Sequence, residues 1–202
     1  KINEKLNICY ISSFGISTNI FESEILKNLY KYCLNKNIRL EVLARTNSND
    51  EEKLEKKDDK IISLFNVNRL LFFKNSKFSD FVRNVVKILI LPIQIFQLKK
   101  IKHKNPDGIF HAHSMYYIFL CWAAGVKAIG TPMGSDVLVR PDQSKIYKFF
   151  TVKSLKYADI ITVDSISLVN KIFNLTTRKA YLIQNGVNTS EIFSFKKKKL
   201  KR

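Results

Sequence analysis

Cysteine is scarce in this sequence, with three residues among 202. Cys9, Cys33 and Cys121 are odd in number, widely spaced and set in apolar or helical surroundings, so they do not form the pattern of a disulfide framework. The sequence also lacks the charged, apolar and small-residue order of a signal peptide at its start. These absences favour a reducing compartment, and we predict a cytoplasmic protein.

Acidic residues are outnumbered two to one, because 17 Asp and Glu face 35 Lys and Arg for a formal net charge of +18. The run from Lys196 to Arg202 carries only part of this excess, so the rest of the chain is basic as well. A basic protein suits anionic partners such as phosphates, nucleic acid or an acidic membrane surface, although codon bias also produces a Lys-rich composition. No groove-reading or base-stacking motif is present, and we therefore do not expect nucleic acid as the partner.

No apolar run is long enough to cross a bilayer. The most apolar segment is Phe78–Lys104, and Lys87, Gln94 and Gln97 keep its apolar run below the roughly 20 residues that a span requires. Its spacing predicts an amphipathic helix, which Pro92 is expected to kink or to divide into two helices.

Two interpretations of this amphipathic segment stay open. In the first, it is a crossover helix whose apolar face packs on a sheet. In the second, its apolar face and basic flank dock on an anionic membrane, so that the protein binds peripherally to the inner face of the membrane. The membrane-docking candidates are Phe81, Lys87, Phe96, Lys99 and Lys100.

Strand-like and helix-like segments alternate through most of the chain. The first strand, Ile8–Ile11, is followed by a helical pattern that ends near Asn35 and by a second strand at Leu40–Leu43. The later elements are a helix at Lys145–Tyr157, a strand at Asp159–Val163, a helix that Asp164 and Ser165 cap and that runs to about Phe173, and a strand at Tyr181–Ile183. This alternation predicts an α/β fold, a Rossmann-like doubly wound parallel sheet.

Two segments that connect the predicted elements have distinctive sequences. Gly15 stands alone after the first strand, without a G-x-G-x-x-G sequence, so a tightly bound dinucleotide pyrophosphate is not predicted. A single glycine still allows the backbone to approach a ligand closely. The stretch Asn47–Lys60 is highly charged with one apolar residue, and we expect a mobile surface loop.

Polar residues gather where two successive strands end. The strand at Ile109 and Phe110 leads into His111, His113 and Ser114. The apolar helix Met115–Ala124 ends at Gly125, and the strand Lys127–Thr131 then leads into Pro132, Met133, Gly134, Ser135 and Asp136. Ligands of open parallel sheets bind outside the carboxyl ends of the strands, so these residues predict one edge of a site.

Four short segments together resemble a known family. They are HAHS at 111–114, TPMGSDV at 131–137, YADIITVDS at 157–165 and YLIQNGVN at 181–188. In this order and spacing the chain resembles the N-terminal domain of the family 4 (group 1) retaining glycosyltransferases, whose GT-B fold has two facing Rossmann-like domains. The resemblance implies a hexosyltransferase-type enzyme of polysaccharide or glycolipid biosynthesis that transfers a sugar from a nucleotide-sugar to a glycan or lipid-linked acceptor.

The resemblance also implies roles for individual residues. His113 matches the catalytic histidine that lines the cleft, and the substrate-binding positions match Gly15, Gly134, Ser135 and Asp136. Asn185 and Gly186 match the segment that leads into the hinge. Met133 stands where the family commonly has His or Trp, so ring contacts at that position are not expected.

The domain organisation follows from the same resemblance. Residues 1–190 are the acceptor-side domain, and the basic tail 191–202 stands at the start of a hinge to a C-terminal domain that holds the nucleotide-sugar. The chain alone is then expected to be inactive, and it needs that domain in the same polypeptide or from a partner subunit. No cofactor or metal is implied. The alternative is a non-catalytic domain or subunit that binds an anionic ligand.

Several site residues have a structural alternative. We favour a site role for His113 over a strand-end cap because it lies in a strand-exit loop beside Ser114. His111 is expected to be a buried structural residue, and His103 to be solvated. Asp136 either contacts a ligand or caps a turn, and the two histidines need not converge on a metal, so no metal site is predicted.

Overall fold

The structure is a computed structural model that describes residues 7–12, 28, 29, 31–33, 35, 36, 38–44 and 77–184. Its described part contains one sheet of six strands, every neighbouring pair of which is parallel. The strands are β1 (Asn7–Ser12), β2 (Arg39–Ala44), β3 (Ile109–His113), β4 (Ile129–Thr131), β5 (Ile160–Val163) and β6 (Tyr181–Leu182), in the spatial order β2-β1-β3-β4-β5-β6. The predicted Rossmann-like α/β fold is confirmed.

Helices connect the strands, as parallel pairing requires. They are α1 (Lys77–Lys104), α2 (Met115–Ala124), α3 (Gly134–Leu138), α4 (Arg140–Gln143), α5 (Lys145–Tyr157) and α6 (Ile166–Thr176). Residues 28, 29, 31–33 and 35 are helical as well.

The side chains of β1 alternate between the two faces of the sheet. Cys9 and Ile11 join the main core, to which α1, α2, α5 and α6 all contribute buried residues. Tyr10 points to the other face and packs with Cys33 and Leu40 in a small second cluster. The four long helices therefore cover one face of the sheet, and the helical residues near Cys33 cover the other beside β1 and β2.

Helix α2 begins and ends where its sequence predicts. The apolar run provides buried residues on most of its circumference, including Leu120 and Cys121, which are almost completely inaccessible. Gly125 ends the helix in the left-handed conformation at φ 70°, and its N–H bonds carbonyl groups of the last turn. Burial also raises the pKa of the Cys121 thiol to about 12, and none of the three cysteines is in a disulfide.

Some predicted boundaries were wrong. Strand β4 begins at Ile129 instead of Lys127, because its pairing with β3 and β5 starts at Ile129. The exposed Lys127 ammonium donates to the Tyr157 carbonyl at 2.7 Å. Helix α6 continues to Thr176, whose hydroxyl donates to the Ile172 carbonyl at 2.7 Å. Ser165 occupies the N-cap position of α6, but its side chain makes no capping hydrogen bond.

The long helix α1 is one helix, so the predicted division at Pro92 was wrong, while the predicted kink stays a prediction. It continues through Pro92 without dividing into two helices, and the Pro92 side chain is exposed. Its buried face contains Gln94, Leu98 and Ile101. The described residues of the apolar face that the spacing predicts are instead exposed, namely Val85, Leu89, Ile93 and Phe96. In the described part of the chain, no helix combines the length and the apolar character needed to cross a membrane.

Several predictions lie outside the described residues. They are the charged loop Asn47–Lys60, the basic tail 191–202, the binding position Gly15 and the hinge positions Asn185 and Gly186. The side chains of Phe81 and Lys87, in the first half of α1, are also outside the description. These assignments stay predictions.

Candidate functional site

The carboxyl ends of β3 and β4 meet, as the sequence predicts. His113 is the last residue of β3 and pairs in register with Thr131, the last residue of β4. Immediately beyond them, the Ser114 N–H donates to the Thr131 carbonyl at 2.9 Å. The histidine and the segment that follows β4 therefore lie at one edge of the sheet.

Asp136 connects the two strand ends. It is buried, and its Oδ2 accepts a hydrogen bond from the Met115 N–H at 3.1 Å, at the first turn of α2. Its Oδ1 is 3.1 Å from Nη1 of Arg140, whose side chain is exposed. The sequence left open whether Asp136 contacts a ligand or caps a following turn. In the structure Asp136 caps the preceding helix, α2, where a carboxylate also interacts favourably with the helix dipole. Its contact with a ligand stays a prediction.

Ser114 has an unusual backbone conformation at this position. Its φ of 88° and ψ of 154° belong to a region that is otherwise almost confined to glycine. Two hydrogen bonds hold this conformation. The Ser114 N–H donates to the Thr131 carbonyl, and the Met115 N–H donates to the Asp136 carboxylate. Ser114 is also buried, so the strain is maintained inside the packed turn that fixes the end of β3.

The imidazole of His113 is largely shielded from water. Burial lowers its pKa below the ordinary value of 6.5, while the charges of Asp164 and Asp136 oppose this shift. The Tyr10 ring lies beside it, with ring centroids 6.3 Å apart. At neutral pH the ring is therefore uncharged, with one nitrogen as a hydrogen-bond donor and the other as an acceptor.

His111 forms part of the rigid base below this site. Its Nε2 is 2.7 Å from the Thr131 hydroxyl, which is 2.5 Å from the Thr162 hydroxyl, so the polar contacts cross β3, β4 and β5. The edge of the His111 ring also contacts the Tyr10 ring at a centroid distance of 5.2 Å. These contacts agree with the predicted structural role of His111.

The pKa of His111 provides a test of this arrangement. Burial, together with the neighbouring His113, lowers it to about 4. Below pH 6.5, His111 takes up a proton in the unfolded chain, whereas in the folded chain it stays unprotonated until about pH 4. The free energy of unfolding should therefore fall as the pH decreases from 6.5 toward 4. We expect the NMR signal of the His111 ring, assigned by its loss in His111→Gln, to titrate near pH 4. A midpoint near 6.5 would show that the ring is not buried in this way.

The segment after β4 is helical instead of the predicted loop. Gly134 and Ser135 form the first turn of α3, and α4 follows immediately with Pro141 in its first turn. Ser135 is exposed, and a Cβ built on Gly134 would have no atom within 4 Å. This turn is therefore open to a ligand beside the exit of β3, while Met133, before it, is also exposed.

No site role was predicted for Tyr10, which contacts the His113 ring, or for Arg140, which pairs with Asp136. Tyr10 lies inside an apolar strand pattern. Asp164 was predicted to be a helix cap first and a site residue second, and its charge acts on His113. Its position after β5 was the available signal, because it is a third polar strand end. Among the described residues, no group of three or more His, Cys, Asp and Glu side chains is arranged to hold a metal ion.

The fold is similar to those of two solved glycosyltransferases. A sucrose-phosphate synthase from Thermosynechococcus elongatus aligns with 96% of this chain and 96% of its own, with a TM-score of 0.55 and 13% sequence identity. A UDP-glucosyltransferase from Polygonum tinctorium that is capable of glucosylating indoxyl aligns with 91% of this chain and 52% of its own, with a TM-score of 0.52 and 11% identity. The chain thus spans about half the length of the second enzyme.

These similarities concern the fold. Both neighbours are GT-B glycosyltransferases, and this chain has the Rossmann-like architecture found in them. No protein-family model and no curated protein sequence matches the chain.

Proposed function

We propose that this chain is the acceptor-side domain of a glycosyltransferase. It contributes to the transfer of a hexose from a nucleotide-sugar to a glycan or lipid-linked acceptor, with retention of the anomeric configuration. The observation that carries the proposal is the juxtaposition of neutral His113 with the open first turn of α3, on a fold similar to two glycosyltransferases. The four sequence segments that resemble family 4 enzymes support the finer assignment.

The chemistry assigned to His113 depends on its uncharged state. A neutral imidazole accepts a hydrogen bond from a sugar hydroxyl and does not repel the positive charge that develops on an oxocarbenium-like sugar. Because burial lowers its pKa, it keeps this state at neutral pH. Gly134 and Ser135 offer backbone and hydroxyl groups to the same ligand, and Asp136 holds the turns in place.

The proposed reaction needs a second domain for the nucleotide-sugar. That domain belongs to the same polypeptide or to a partner subunit, and Asn185 and Gly186 would lead toward it. The nucleotide-sugar is a co-substrate, and no resident cofactor or metal is proposed. The chain by itself is then expected to contribute to binding but not to complete transfer.

A transfer assay with the complete natural protein tests this function. The purified protein is incubated with radiolabelled nucleotide-sugars, one at a time, and with lipid and glycan fractions of the source cells. We expect one donor to label a product whose anomeric configuration, measured by NMR, is that of the donor. Inversion would reject retention.

The alternative function gives a different result in the same samples. A non-catalytic domain for an anionic ligand would label no product with any donor. It would instead bind an anionic sugar or an oligonucleotide with an affinity that falls steeply as salt increases. That combination would replace the transferase proposal.

A further inference from the structure

Helix α1 has two opposite faces over its described side chains. At 100° per residue, Gln94, Leu98 and Ile101 lie on one side, and all three are buried. The side-chain Oε1 of Gln94 accepts a hydrogen bond from the Tyr116 hydroxyl at 2.5 Å, which connects this side of α1 to α2. The inner face is therefore occupied by the fold itself.

The opposite face is apolar and exposed. We call it the α1 apolar stripe, and it consists of Val85, Ile88, Leu89, Ile93 and Phe96. Ile88, Leu89 and Phe96 are each 69% exposed, which is a large fraction for three bulky apolar side chains on one helix. Contiguous exposed apolar surface of this kind commonly marks an interaction site.

A basic end continues the same face. Lys99 and Lys100 follow Phe96 by three and four residues, so they lie directly beyond the stripe, and both are exposed. Lys104, at the end of the helix, is exposed as well. The sequence from Val85 to Lys104 contains no Asp or Glu, so this surface carries charge of one sign only.

We propose that the α1 apolar stripe docks on an anionic lipid bilayer. The helix lies parallel to the membrane surface, its apolar residues enter the boundary between headgroups and acyl chains, and Lys99 and Lys100 bind the anionic headgroups. A second copy of the chain fits less well, because the segment offers no carboxylate with which these lysines could pair. The proposal does not depend on the transferase function.

Vesicle sedimentation tests the docking. The chain is mixed with vesicles of phosphatidylcholine alone or of phosphatidylcholine with phosphatidylglycerol, and bound protein is measured after centrifugation. We expect binding to the anionic vesicles only. The variant Ile88→Ser/Leu89→Ser/Phe96→Ser should weaken this binding at least about tenfold, because it removes the apolar contacts with lipid.

Matched controls separate the stripe from general effects. Tyr32→Ser/Ile183→Ser removes two other apolar side chains that are more than half exposed, and it should bind as the unaltered chain does. Lys99→Glu/Lys100→Glu should weaken binding about tenfold or more. Lys31→Glu/Lys36→Glu makes the same charge change at exposed positions of the opposite sheet face and should have a much smaller effect.

An environment-sensitive fluorophore shows whether the stripe enters the lipid. The three native cysteines are buried, so a cysteine introduced by Leu89→Cys can be labelled selectively in the folded protein. Anionic vesicles should shift the emission of this label to shorter wavelength and leave a label at Lys31→Cys unchanged. This distinguishes insertion from adsorption through the basic tail alone.

Three results would overturn the proposal. The first is vesicle binding that the stripe variant leaves unchanged, and the second is an unshifted label at position 89. The third is the absence of vesicle binding together with a concentration-dependent dimer, detected by light scattering, that the stripe variant abolishes. That third result would assign the stripe to an interface between two copies.

Discussion

Replacement of His113 by alanine should lower the turnover number for sugar transfer in the complete enzyme by at least about a hundredfold. The neutral ring is expected to interact more strongly with the charge of the transition state than with the bound substrate, so the Michaelis constant should change much less. Because the ring is part of the site edge and not of the main core, the protein should keep its fold. Steady-state kinetics and thermal unfolding of both proteins measure these effects.

His103→Ala is the matched control for this result. His103 is exposed in the last turn of α1, away from the strand ends, so its loss should leave transfer unchanged. Equal rates in His113→Ala and the unaltered enzyme would remove His113 from the mechanism. An increased Michaelis constant with an unchanged turnover number would assign His113 to binding of the acceptor alone.

Replacement of Asp136 by alanine should lower the free energy of unfolding by about 2 to 3 kcal/mol. The variant leaves the buried Met115 N–H without its acceptor and removes the contact with Arg140. Urea denaturation measures the change. Transfer activity should also fall, because the strained Ser114 turn at the end of β3 loses a hydrogen bond that holds it.

Two variants identify which contact of Asp136 matters. In Asp136→Asn the amide oxygen can still accept from Met115, and the lost ion pair to exposed Arg140 contributes little, so the cost should be about 1 kcal/mol or less. Asp142→Ala removes an ion pair of 2.6 Å between an exposed carboxylate and Lys171, and it should also cost less than about 1 kcal/mol. Equal losses in all three variants would refute the capping role.

The sequence predicted the parts of this fold in which local signals agree. Helix α2 is the best case, since its apolar run predicts the helix and Gly125, in left-handed conformation, marks its C-terminal end. The neighbouring ends of β3 and β4 were predictable for a similar reason. Polar residues collect at the carboxyl ends of parallel strands, and adjacent strands in such a sheet bring them together.

Tertiary contacts decided the parts that the sequence did not predict. Asp136 caps helix α2, whose first residue precedes it by 21 positions in the sequence. A local sequence pattern does not extend over so large a separation. In α1, periodicity identified an apolar face but not the side on which the sheet lies. A polar residue, Gln94, is buried because Tyr116 of α2 satisfies it, while the more apolar face is exposed.

Pro92 has a further consequence for the outer surface of α1. Proline has no N–H, so the Ile88 carbonyl lacks the amide donor that an uninterrupted helix would supply four residues later. Hydrocarbon offers no hydrogen-bond donor to such a carbonyl, whereas the hydrated headgroup region does. The backbone near Ile88 should therefore stay within reach of water, which limits the depth of immersion. A helix that lies on a bilayer under this constraint can release from it more easily than one whose backbone is fully bonded.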